Sequence, residues 1–169
     1  MGYIDGVREI TVQELHDIPV EKLMEVSKEI TDNYHSVHKT SRRLISNEMQ
    51  ALVYAAVRMP ATYAAVKSAL EHATIYNDIT IDTIIDVGAG TGAASLAAEE
   101  VFDSGHICLV EREPYMRKCG SRIFAAMGDE TLKTAQWYDE DILNDNTDRH
   151  ADLVMSSYMI NEIKLQDRE

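Results

Sequence analysis

The sequence predicts an α/β fold, in which a partial parallel sheet of four strands follows a helical segment. Three observations carry that prediction. Before residue 78, apolar residues recur at helical spacing. After it, short apolar strands alternate with helix-like stretches. Between the first strand and its helix stands a glycine-rich turn, Asp86-Val87-Gly88-Ala89-Gly90-Thr91-Gly92-Ala93. The chain is therefore divided into a helical segment, 1–78, and an α/β domain, 79–169.

In the helical segment, Thr11-Val12-Gln13-Glu14 reads as a capping box, with Thr11 capping and Glu14 bonding back. Pro19 opens a second helix that runs to about His38, with Val20, Leu23, Met24, Ile30, Tyr34 and Val37 on or near one face. A third helix begins near Ser46 and turns Met49, Leu52, Val53 and Ala56 inward. Pro60 ends it and opens a fourth, with Tyr63, Val66, Leu70 and Ala73 at helical spacing. No Gly/Ser/Pro linker lies between Ala73 and Thr83. The helices are thus expected to pack over the glycine turn, with Arg58 and Tyr63 near it.

In the second part, Thr83 to Gly88 is a strand and Gly92 to Phe102 a helix built on Ala94, Leu96, Ala97, Ala98 and Val101. His106 to Val110 is a strand of continuous apolar character, as in a sheet covered on both faces. Pro114 to Met127 is a helix, Leu132 to Tyr138 a third strand, and Ala151 to Ser156 a fourth. Such alternation implies a doubly wound sheet with right-handed crossovers.

Composition excludes several classes. The chain is 169 residues long and 45% hydrophobic, enough for a core. It has no apolar run near the ~20 residues of a membrane span. Met1 to Ile10 lacks the features of a signal or transit peptide, so a cytoplasmic protein is expected. Net charge is −13 and lies mostly after residue 80, where 18 acidic residues face 8 basic ones. Such a surface repels phosphate backbones. The local exception is His35-Ser36-Val37-His38-Lys39-Thr40-Ser41-Arg42-Arg43, either a solvated helix end or an RNA contact. The two cysteines, Cys108 and Cys119, form no C-x-x-C pair, and no metal site is expected. Cys108 reads as a buried small hydrophobe, and His16, His35, His38 and His72 as ordinary helix positions.

Glycines at the turn allow positive φ and let a ligand lie on bare backbone. The helix that follows offers free N–H groups and a partial positive charge. Gly88, Gly90 and Ala93 satisfy the dinucleotide fingerprint. Glu111, at the end of the second strand, can accept ribose hydroxyls of either a dinucleotide or S-adenosyl-L-methionine. Three features favour the methyl donor. The spacing is also G-x-G-x-G, with Asp86 two places before the first glycine, a pattern that looks like motif I of class I methyltransferases. Asp139-Glu140-Asp141-Ile142 follows the third strand, where those enzymes often bind adenine. The turn also lies well inside the chain, whereas a dinucleotide domain commonly begins with it.

Several stretches together resemble the Rsm22 family, methyltransferase-like proteins named for the mitochondrial small ribosomal subunit, with bacterial relatives. They are Tyr54-Ala55-Ala56-Val57-Arg58-Met59-Pro60-Ala61-Thr62-Tyr63-Ala64-Ala65-Val66, then Asp86 to Ala93, then Leu109 to Arg112, and finally Ala151 to Ile163 with its Ser156-Ser157-Tyr158-Met159-Ile160-Asn161-Glu162. The resemblance spans roughly residues 40 to 163 and implies a Rossmann-like class I methyltransferase core. It further implies a cofactor, S-adenosyl-L-methionine, and a partner, ribosomal RNA or the small ribosomal subunit. Asp86, Gly88, Ala89, Gly90, Gly92, Glu111, Arg112, Asp141, Ile142, Ser156 and Ser157 would hold the cofactor. Tyr158, Asn161 and Glu162 would stand at the acceptor, although Asn161 and Glu162 could equally cap the following helix. A non-catalytic assembly factor that keeps the fold, and an NAD-binding oxidoreductase, are the alternatives. From Asp86 the sequence reaches four strands where the class I fold uses seven, so a fragment of a longer protein is expected. Strand four would then be an open edge, and a homodimer could form through it.

Overall fold

A strand that ends in glycine, a helix that opens on small residues and a second apolar strand form the centre of the molecule. In this computed structural model, residues 2–36, 44–75, 79–141 and 148–159 are described. The helical segment holds α1 (Tyr3–Leu15), α2 (Val20–Ser36), α3 (Glu48–Val57) and α4 (Met59–Thr74). The second part runs β1 (Thr83–Val87), α5 (Ala93–Phe102), β2 (His106–Val110), α6 (Pro114–Ala126), α7 (Glu130–Thr134), β3 (Gln136–Tyr138) and β4 (Leu153–Met155).

The four strands form one parallel sheet in the order β3-β2-β1-β4. Ile84 pairs with Ile107 and Leu153, and Asp86 with Leu109 and Met155. Asp152 fixes β4 at its start: its carboxylate accepts the backbone N–H groups of Asp82 and Thr83 and the Thr83 hydroxyl, 2.8–3.1 Å away. Val154 is 60% exposed on β4, one of the two outer strands among the described residues. The edge behind the dimer expectation is therefore present, but neither the fold nor the family match reported below supports the dimer itself.

α5 is buried along most of its length, with Leu96, Ala97 and Ala98 fully enclosed. Its small side chains let α4 lie close against it. Glu100 joins the layers: its carboxylate accepts the Tyr63 hydroxyl of α4, the Lys67 ammonium at 2.6 Å and the Tyr3 backbone N–H at 3.2 Å. α3 and α1 lie against α6, where Glu48 pairs with Lys118 and Glu14 with Arg122. One apolar core runs through both parts, from Val7, Val26, Ile45 and Met59 to Leu96, Ile123 and Leu132. Among the described residues no helix is long and apolar enough to cross a membrane.

Four expectations need correction. Thr11 does not cap a helix: α1 starts at Tyr3, the Gly2 N–H donates to the Asp5 carboxylate, and Thr11 lies mid-helix with its hydroxyl on the Val7 carbonyl. Among the described side chains of α2 the buried residues are Val26 and Ile30, whereas Val20 and Met24 are 64% and 68% exposed. Leu132 belongs to α7, not to a strand, because Asp129 caps that helix by accepting the Leu132 N–H, and β3 keeps only Gln136–Tyr138. Cys108 is only partly buried; Cys119 is the enclosed one.

Candidate cofactor site

The glycine turn takes its shape from three residues with positive φ: Gly88 at 71°, Gly90 at 59° and Gly92 at 87°. The first is pinned to the neighbouring strand, since the N–H groups of Gly88 and Ala89 both donate to the Val110 carbonyl at the end of β2. Gly92 is the N-cap of α5 and has no side chain with which to cap it. Asp86, on β1, reaches that helix end instead. Its Oδ2 accepts the Ser95 hydroxyl at 2.8 Å. Asp86 is fully buried, and burial pushes its pKa up to about 6 despite the Ser95 bonds. Its other oxygen, Oδ1, has no hydrogen-bond partner among the described residues. A buried polar atom left alone costs ~1–3 kcal/mol, so this carboxylate is set for a partner that the described residues do not supply.

Glu111 directly follows β2 and turns back onto the glycines. Its carboxylate accepts the Gly90 N–H and the Glu113 N–H, each at 2.8 Å. Burial raises its pKa, and these two bonds oppose the rise. The three acids after β3 are each held by a different arginine: Asp139 by Arg117 at 2.7 Å, Glu140 by Arg149 at 2.6 Å and Asp141 by Arg112 at 3.5 Å. Arg149 also stacks 3.8 Å over the Tyr138 ring.

The segment after β4 approaches the turn from the other side. The β1–β4 register places Ser156 beside Val87, and the buried Ser156 Oγ has no hydrogen-bond partner among the described residues. Tyr158 has left-handed backbone, φ 65°, with its ring exposed. Met159 packs on Gly88 so tightly that a Cβ there would lie 2.5 Å from the Met159 Cγ.

The structure thus gathers Asp86, Gly88, Ala89, Gly90, Gly92, Glu111, Ser156 and Ser157 at the carboxyl ends of β1, β2 and β4. That crevice is where ligands bind in open α/β sheets. Arg112 and Asp141 meet as an ion pair beyond β2 and β3. Ile142, Asn161 and Glu162 lie outside the described residues, as does the basic stretch from Val37 to Arg43. Of the two helical residues expected near the turn, Tyr63 bonds Glu100, well along α5, and Arg58 donates to Thr31 of α2. Met59 touches the turn instead, its Sδ accepting the Thr91 hydroxyl at 3.5 Å. Sequence reasoning missed Ser95, Met59 and Met159. Ser95 alone had a signal, a hydroxyl at the third position of a helix whose N-cap is glycine.

Comparison with known proteins gives one family. The sequence model described as "Mitochondrial small ribosomal subunit Rsm22" matches residues 48–169. No curated protein matches the chain. Among solved structures, the plantazolicin methyltransferase BpumL in complex with a monoazolic desmethylPZN analogue and SAH is similar at TM-score 0.48 and 12% identity, over 79% of this chain and 48% of that one. BpumL in complex with SAH alone gives TM-score 0.45 and 12% identity, over 89% and 46%. The chain spans about half the length of these structures.

Proposed function

Since the chain belongs to the Rsm22 family of the mitochondrial small ribosomal subunit, we propose that its crevice binds S-adenosyl-L-methionine and that the protein methylates small-subunit ribosomal RNA or an assembly intermediate of that subunit. The observation that carries this reading is the pair of buried oxygens, Asp86 Oδ1 and Ser156 Oγ, without a hydrogen-bond partner among the described residues, beside three left-handed glycines at adjoining strand ends. The site asks for a ligand with polar groups at one end that can lie against bare backbone. The amino-acid end of S-adenosylmethionine meets both demands, with its ammonium suited to Asp86 and its carboxylate to the N-terminus of α5.

Gly92 is required by packing as well as by its positive φ, since a Cβ there would lie 2.6 Å from the Phe124 ring. Glu111 would accept the ribose hydroxyls, with Arg112, Asp141 and Ile142 at the adenine end. Bound there, the cofactor supplies an electrophilic methyl group. The chain's part is placement: Ser156 and Ser157 line the methyl end, and Tyr158, Asn161 and Glu162 orient the acceptor. Methyl transfer of this kind depends on in-line positioning more than on a strong base. With a net charge of −13, RNA contact is assigned to the basic stretch from His35 to Arg43.

Calorimetric titration tests the ligand. Binding of S-adenosylmethionine or its demethylated product is expected to exceed that of NAD, and the reverse order would sink the reading. Glu111→Ala should weaken binding by ~1–3 kcal/mol, since it leaves ribose hydroxyls without charge-assisted partners. Incubation with radiolabelled cofactor and small-subunit RNA then separates the enzyme from the assembly factor: label in the RNA marks the first, tight binding without label the second.

A further inference from the structure

The segment after β4 closes over Gly88. A non-glycine residue in left-handed backbone costs about 1–2 kcal/mol, and such residues persist only where their surroundings hold them. Tyr158 is one, and it is 55% exposed, so its own side chain does not hold the turn. What the turn delivers is Met159, laid onto the bare backbone of Gly88. Just past the end of β4 lies Ser156, whose buried hydroxyl lacks a partner among the described residues. A ligand that lies on the Gly88 backbone needs the space the Met159 side chain fills. A methionine suits such a place: it is unbranched, it packs well without directional bonds, and it can swing through several rotamers at little cost.

We infer that Met159 is a displaceable plug over Gly88, held down by the left-handed turn at Tyr158, and that ligand entry requires its side chain to swing out. Its displacement bares the Gly88 backbone. The inference rests on the cofactor reading above and adds a regulation of that same site: the unliganded crevice is closed by the chain itself. By population-shift logic the plug lowers apparent affinity by the fraction of molecules in which it is open.

The test is titration of the chain and its Met159→Ala variant with S-adenosylhomocysteine, with circular dichroism as a check on folding. The variant is expected to bind roughly three- to tenfold more tightly, since no side chain has to leave. Binding by the variant alone would be the extreme form of the same result. If both proteins bind and the variant binds equally or more weakly, the plug is overturned while the cofactor reading stands, because Met159 would then be neutral or a ligand contact. If neither folded protein binds, the cofactor reading falls and the plug falls with it. The two failures are therefore distinct.

Discussion

Asp86 is held where its charge is least favoured, enclosed on β1 with one oxygen on Ser95 and the other without a partner among the described residues. Its folded pKa of about 6 lies above the ordinary 3.8, so the folded state binds the proton more tightly than the unfolded chain. Its contribution to stability is therefore fully present below 3.8 and is lost as pH rises through about 6. The loss is about 3 kcal/mol, order of magnitude. Asp86→Asn stays neutral at every pH and keeps an oxygen for Ser95. In urea melts its midpoint should rise relative to the wild type as pH climbs from 3.8 past 6, while its ligand affinity falls; parallel melts at all pH values would contradict this. Gly88→Ala tests the neighbouring contact. It forces a side chain into φ 71° and against Met159, and should cost ~1–3 kcal/mol. Adding Met159→Ala should restore part of that loss in thermal melts; strictly additive effects would show that the two residues do not touch. The glycines and Glu111 were legible in the sequence because backbone demands and strand ends mark them. Ser95 and Met159 were not, since each acts through a contact formed only after folding.

At the scale of elements, β1, α5, β2 and α6 matched expectation within a residue or so, for a physical reason. Gly88, Gly92 and Pro114 punctuate them covalently, and their apolar runs are buried too fully to be read two ways. The errors fall where a partner decides. On α2, Val20 and Met24 lie off the stripe of Val26 and Ile30, and the sequence offers both stripes until α3 packs against one. Leu132 reads as strand by apolarity, but the Asp129 cap commits it to α7. One close contact between elements is not marked in the sequence. Gly120 of α6 lies against Trp137 of β3, and a Cβ there would also lie 2.9 Å from the Thr91 carbonyl of the glycine turn. Gly120→Ala would gain helix propensity yet push α6 off the sheet, so the net effect should be a loss of ~1–3 kcal/mol. The displacement should also loosen the turn and lower ligand affinity. Urea denaturation with a ligand titration checks both, and a variant more stable than wild type would show that α6 can shift freely.

At the scale of the whole molecule, the helical segment and the sheet share their interior. Met59 lies under Thr91, Tyr63 and Lys67 converge on Glu100, and Val7 and Ile45 join the core that holds Leu96 and Ile123. The sequence foretold the contact only through the lack of a linker, and it placed Arg58 and Tyr63 where Met59 sits. The reason is that α4 runs along α5, so its first residue meets the turn and the rest meets the helix. This geometry predicts one cooperative unit. Residues 79–169 expressed alone would expose the outer face of α5 with its run of small apolar side chains, and would leave Glu100 without its Tyr63 and Lys67 partners. Burial is worth roughly 25 cal/mol per Å² of apolar surface, so losing an interface along α5 and α6 outweighs the margin of a typical small domain. The intact chain should melt in a single transition by circular dichroism and calorimetry. The 79–169 piece should show no cooperative melt until residues 1–78 are added in trans. A 79–169 piece that melts cooperatively at the temperature of the intact chain would show instead that the helical segment is an appendage on a self-sufficient domain.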